Sequence, residues 1–74
     1  MITISIRFVN GSMQEYIEND FFVSELRKLE NQGYRGKSLI NILISDDWGA
    51  PPASVNIKGK LADGSVIDES IRYE

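Results

Sequence analysis

Ile2-Thr3-Ile4-Ser5-Ile6-Arg7-Phe8 is the stretch on which the fold turns. Apolar and polar residues alternate without a break. Ile2, Ile4, Ile6 and Phe8 therefore share one face, and Thr3, Ser5 and Arg7 share the other. A period of two belongs to an extended strand, and this one predicts a strand with one buried face and one wet face. Asn10-Gly11 follows, a dipeptide that strongly signals a hairpin turn. Ser12 to Glu18 is then the returning strand. Met13 and Ile17 are expected to face the core with Glu15 between them, an inward charge of the kind that keeps an edge strand from pairing further.

The C-terminal third repeats this logic. Ala53 to Leu61 alternates, with Val55, Ile57 and Leu61 on one face and Asn56, Lys58 and Lys60 opposite. Asp63-Gly64 is a second hairpin signal. Val66 to Tyr73 returns with Ile67, Ile71 and Tyr73 inward and Asp68, Ser70 and Arg72 outward. Glu69 falls on the inward face and is expected to act as another edge guard. No internal repeat or low-complexity tract stands out.

The middle of the chain changes period. Phe22, Leu26 and Leu29 recur at helical spacing after Asn19 and Asp20, both capable caps, and Gly33 ends the run. A second helix is predicted from Leu39 to about Asp47, capped by Ser38, with Leu39, Ile40, Leu43 and Ile44 on one face. Gly49 and Pro51-Pro52 would stop it. Two features oppose this helix: three isoleucines within Leu39–Ile44 suit a buried strand, and Asp46 and Asp47 sit at the unfavourable end of the helix dipole.

The predicted order is ββααββ in a single domain, residues 1–74. Four one-sided strands and two striped helices predict an α+β two-layer sandwich, a mainly antiparallel four-stranded sheet with both helices on one face. The alternative is a β-grasp-like arrangement, resembling ubiquitin-type folds, in which the first strand lies parallel to the last. The closing residues Arg72-Tyr73-Glu74 contain no diglycine, so a conjugating role is not expected.

Composition narrows the chemistry. Of 74 residues, 22 are Leu, Ile, Val or Phe, enough to drive folding. There is no cysteine and no histidine, which removes thiol chemistry and the commonest general base and metal ligand. Neither a metal site nor a cofactor is expected, and the chain is read as not an enzyme. A net charge of −3 argues against duplex DNA as a partner. No apolar run is long enough to span a membrane, and residues 1–8 lack the pattern of a signal peptide, so a cytoplasmic location is expected.

Four local patterns compete as sites. Gly36-Lys37-Ser38 resembles the end of a phosphate loop, but Asn31 stands where that loop needs glycine, so it reads as a turn and helix cap. Asp46-Asp47-Trp48 offers either a helix end whose tryptophan closes the core or an exposed anchor for a partner. Glu15, Glu18 and Asp20 form an acidic rim, without the cleft a paired-carboxylate enzyme needs. Arg7, Lys58, Lys60 and Arg72 are half of the basic residues and fall on the wet face of three strands, with Asp68 and Glu18 partly neutralising them. Tyr16 alone could add a stacking aromatic there, too little for single-stranded RNA. The bland reading of this face is that its charges keep an exposed sheet soluble.

The functional expectation is a small non-enzymatic module that binds another protein, of the class that includes phage-type inhibitors of host proteins. The alternative is a homo-oligomer that holds a nucleotide-like anion with Arg7, Lys58, Lys60 and Arg72.

Overall fold

The computed structural model describes residues 1–44 and 51–73. Six elements follow in the order ββααββ: β1 (Ile2–Phe8), β2 (Met13–Glu18), α1 (Asp20–Asn31), α2 (Gly36–Leu43), β3 (Pro52–Lys60) and β4 (Val66–Arg72). They form an α+β fold with one sheet, ordered β2-β1-β3-β4. Every pairing in it is antiparallel. β1 lies between β2 and β3 rather than beside β4, so the β-grasp-like alternative is not the arrangement adopted.

The alternation in β1 does what its period requires. Ile2, Ile4 and Ile6 lose all solvent exposure, and they share one core with Val55, Ile57, Ile67 and Ile71 from β3 and β4. Phe22, Val23, Leu26 and Leu29 of α1 and Leu39 and Ile40 of α2 bury into the same cluster. Both helices therefore cover the same face of the sheet. Leu43 packs at its margin, as do Leu61 and Tyr73.

Helix α1 begins as its sequence implies. The Asn19 side chain accepts a hydrogen bond from the Phe21 amide at 3.0 Å. Gly33 takes a left-handed φ of 94° after the last turn, where its amide and that of Tyr34 satisfy late carbonyls of the helix. Helix α2 departs from expectation at both ends. It starts at Gly36, with Arg35 as its extended N-cap residue and no side-chain cap. Ser38 is thus inside the first turn, and its Oγ donates to the Arg35 carbonyl at 2.8 Å instead of capping. The helix ends at Leu43, with Ile44 already extended but buried. Its expected extension to Asp47 and the stop at Gly49 lie outside the described residues.

The largest correction concerns β2. Its register sets Gln14, Tyr16 and Glu18 opposite Ile6, Ile4 and Ile2, so these three share the core side. Met13, Glu15 and Ile17 stand opposite Arg7, Ser5 and Thr3 on the open face, where Met13 is 55% and Ile17 59% exposed. The cause is loop length. A two-residue Asn-Gly turn would place Met13 and Ile17 inward. The chain instead closes Phe8 onto Ser12 (Phe8 amide to Ser12 carbonyl, 2.9 Å), leaving the three-residue loop Val9-Asn10-Gly11 with Gly11 at φ 88°. One extra loop residue transfers every side chain of β2 to the other face.

The second hairpin has the same connection. Leu61 donates to the Ser65 carbonyl at 2.8 Å, and Gly64 sits at φ 90°. In both loops a side-chain oxygen, of Asn10 or of Asp63, accepts from the amide and hydroxyl of the serine two residues on. These bonds from Ser65 hold the Asp63 carboxyl below the usual carboxylate range.

Two predictions follow from this packing. Ile6→Ala or Leu26→Ala should cost about 2–5 kcal/mol in urea unfolding, the usual range for fully buried aliphatics. Ile17→Thr, on the open face, should stay within about 0.5 kcal/mol of the parent. A large loss for Ile17→Thr would contradict the register of β2. Gly59→Ala is the second. A Cβ on Gly59 would run into the Met1 carbonyl and the Ile2 backbone across the β1–β3 pair, at a φ of 156°. It should cost about 1–3 kcal/mol by the same assay, with amide shifts centred on Ile2 and Thr3.

Candidate functional site

The face of the sheet away from the helices carries four ordered rows. Met13, Arg7, Ser54 and Arg72 form one, followed by Glu15, Ser5, Asn56 and Ser70. The third is Ile17, Thr3, Lys58 and Asp68, and Lys60 stands beside Val66 at the far end. All four basic residues singled out in the sequence thus lie on one open surface. Arg7 and Arg72 are on β1 and β4 with Ser54 of β3 between them, so their Cα atoms are about 10 Å apart, two strand spacings. These two arginines, with Ala53 and Ser54, line a shallow hollow at one end of the face. Beside it a second hollow is bounded by Ser5, Met13, Asn56 and Ser70.

The middle row is internally satisfied. Ser5 Oγ donates to Glu15 Oε2 at 3.1 Å, and Asn56 Nδ2 donates to Ser70 Oγ at 2.8 Å. Among the described residues no ion pair engages Arg7, Lys58, Lys60 or Arg72. The face therefore carries four cations against the carboxylates of Glu15 and Asp68, in a chain whose net charge is −3. It also presents Met13, Ile17 and Val66, all large and exposed. The sequence reading missed these apolar members. The turn at Phe8–Ser12, read by analogy with the one at Leu61–Ser65, was the signal that could have placed Met13 and Ile17 there.

The acidic rim does not assemble. Glu15 is on the open face, whereas Glu18 is half-buried on the opposite side and does not offset the basic cluster. Asp20 accepts the Ala62 amide at 2.7 Å, tying the start of α1 to the second hairpin loop. Tyr16 packs against the core and is not available to the open face. Asp46, Asp47 and Trp48 lie outside the described residues.

A different titratable cluster spans α1 and β4. Arg27 Nη1 bonds Glu69 Oε2 at 2.6 Å and Glu30 Oε1 at 2.9 Å. Glu69 is thus the partner of a helix cation rather than an edge guard. Its partial burial pushes its carboxyl above the usual range, and Glu30 pushes it further while Arg27 pulls it back. Burial also opposes ionisation of Glu30, but its hydrogen bonds to Glu69 and Arg27 hold it below the usual range. The signs oppose. The raised Glu69 favours the fold below the ordinary carboxylate range and loses that contribution as pH rises through its folded value. The lowered Glu30 favours the fold above that range and loses its contribution as pH falls. This cluster clamps α1 to the sheet.

Among the described residues no group of three Asp, Glu, His or Cys side chains is placed to hold a metal ion, and no helix is long and apolar enough to cross a membrane. Comparison with protein-family models, curated proteins and solved structures finds no match to this chain.

Replacing Glu30 by Gln removes the carboxylate that pushes the Glu69 carboxyl upward and leaves the bond to Arg27. The Glu69 side-chain resonance should then titrate at lower pH than in the parent when followed by carboxyl NMR. An unchanged or higher midpoint would mean that the two carboxylates do not interact.

Proposed function

We propose that the chain is a small non-enzymatic module that binds an acidic surface of another protein through the open face of its sheet. The observation that carries this reading is the charge distribution: Arg7, Lys58, Lys60 and Arg72 collect on one face of an acidic chain, with no ion pair to them among the described residues. Exposed Met13, Ile17 and Val66 on the same face supply apolar contact area beside the charges. Charges so arranged steer encounter and set orientation, and the apolar contacts slow dissociation. A protein acting in this way works by covering a partner's surface, the mode of a phage-type inhibitor of a host protein. We take its place of action to be the cytoplasm.

The hollow between Arg7 and Arg72 favours a second reading, in which the same end of the face holds a nucleotide-like anion. Two guanidinium groups flanking a serine suit phosphate oxygens.

Poly-glutamate is a direct probe of the first reading. The parent should bind it with an affinity that falls as salt rises. Lys58→Glu with Lys60→Glu should still fold, since each exposed charge is worth under about 1 kcal/mol to stability. That variant should bind about tenfold more weakly. Glu15→Lys with Glu18→Lys should bind no more weakly than the parent. The reading fails if the acidic-residue pair does the damage, or if both charge reversals are tolerated while Trp48→Ala in a folded chain abolishes binding. Saturable amide shifts at Arg7, Ser54 and Arg72 on adding inorganic phosphate, with no response to poly-glutamate, would establish the anion reading instead.

A further inference from the structure

Among the described residues β2 and β4 are the outer strands of the sheet, and they differ in the charges they carry along their outer edges. In an antiparallel ladder, residues alternate between those that bond the neighbouring strand and those that turn their amide and carbonyl away from it. The Tyr73 amide bonds the Ala53 carbonyl at 3.0 Å, and Leu61 bonds Ser65, which fixes the phase. The odd-numbered residues of β4 therefore face β3. Val66, Asp68, Ser70 and Arg72 turn their amides and carbonyls to the outer edge, which no described strand pairs, and their side chains to the open face.

An edge of this kind is normally blunted by proline, lysine, a bulge or an unpaired inward charge. β4 (Val-Ile-Asp-Glu-Ser-Ile-Arg) contains no proline, glycine or lysine, and its pairing with β3 runs without a register shift. Its inward charge, Glu69, is engaged by Arg27 on the helix side. What guards remain in the strand are the charges of Asp68 and Arg72.

Its charges select the partner. Asp68 and Arg72 stand two residues either side of Ser70. If a second β4 runs antiparallel about a twofold axis at Ser70, Ser70 faces its own copy. Asp68 of each chain then faces Arg72 of the other. All three residues are in the bonding phase, so the pair forms six backbone hydrogen bonds and two opposite-charge cross-strand pairs. No other same-face antiparallel register sets both charges against their opposites. β2 shows the contrast: its edge groups belong to Met13, Glu15 and Ile17, and the register centred on Glu15 sets that carboxylate against its own copy.

We propose that β4 is a self-association edge, through which two copies of this chain join their sheets into one of eight strands with the twofold axis at Ser70. The pairing sets each Asp68 beside a cation of the other copy. It takes Arg72 into the seam and leaves Arg7, Lys58 and Lys60 of both copies on a continuous open face.

Light scattering on a size-exclusion column and sedimentation across a concentration series test it. The parent should form dimers. Asp68→Arg or Arg72→Asp alone sets like charges together in both symmetric pairs and should weaken dimerisation at least about tenfold. An equimolar mixture of the two single variants should form heterodimers, and the double variant Asp68→Arg/Arg72→Asp should recover the homodimer. Amide exchange at Asp68, Ser70 and Arg72 should be protected in dimeric samples and fast in the single variants. Circular dichroism checks folding, and Asp68→Lys and Arg72→Glu replace any variant that fails to fold. The proposal is overturned by a parent that stays monomeric throughout, by single reversals that leave dimerisation unchanged, or by a mixture that remains monomeric. Poly-glutamate binding is read with Lys58→Glu/Lys60→Glu, which leaves Asp68 and Arg72 in place, so the two readings fail separately.

Discussion

Strand β1 has both backbone edges paired and one face wholly in the core, and the remaining elements are placed by those two facts. Ile2, Ile4 and Ile6 are fully excluded from solvent. Fully burying an aliphatic side chain of this size contributes about 1.5–3 kcal/mol. With β2 on one side and β3 on the other, the strand has no backbone group to spare along its paired length. The two hairpins therefore meet along β1 and β3, and β2 and β4 become the outer strands. The helices follow, because only one face of that sheet is apolar enough to cover.

Two loops of the same design then set which side chains reach the open face. Each closes on a serine and places a glycine at positive φ. That geometry makes Met13 and Val66 equivalent, the first outward-facing residue after its turn. Ile67 and Ile71 occupy the inward positions in the second hairpin, whereas Gln14, Tyr16 and Glu18 occupy them in the first. The first hairpin thus shows apolar residues to solvent at an outer strand, next to the basic cluster, and the protein-binding proposal rests partly on that consequence. The clamp of Arg27 on Glu69 satisfies the inward charge of the other outer strand.

Much of the architecture was legible in local pattern. The period-two alternation of Ile2–Phe8 and Ala53–Leu61, the helical spacing of Phe22, Leu26 and Leu29, the Asn19 cap and the Gly33 stop each report a preference of a few adjacent residues. A chain so consistent at that level specifies its elements and their order without reference to the rest of the molecule. The placement of Arg7, Lys58, Lys60 and Arg72 on one face was legible for the same reason, since parity along a strand is a local property.

What only the tertiary structure decided are the matters in which a local preference had two outlets. Met13 and Ile17 look inward by hydropathy, but a three-residue loop turned them outward, because register is set by the turn's hydrogen bonds and not by the strand's own composition. Ser38 looks like a cap, but Gly36 opens the helix two residues earlier and the hydroxyl turns back to the Arg35 carbonyl. Glu69 looks like a charge set to repel, but the packing of α1 across β4 gives it a cation. In each case the deciding partner is separated from the residue along the chain or bonded through its backbone, and side-chain identity alone does not encode where such a partner will be.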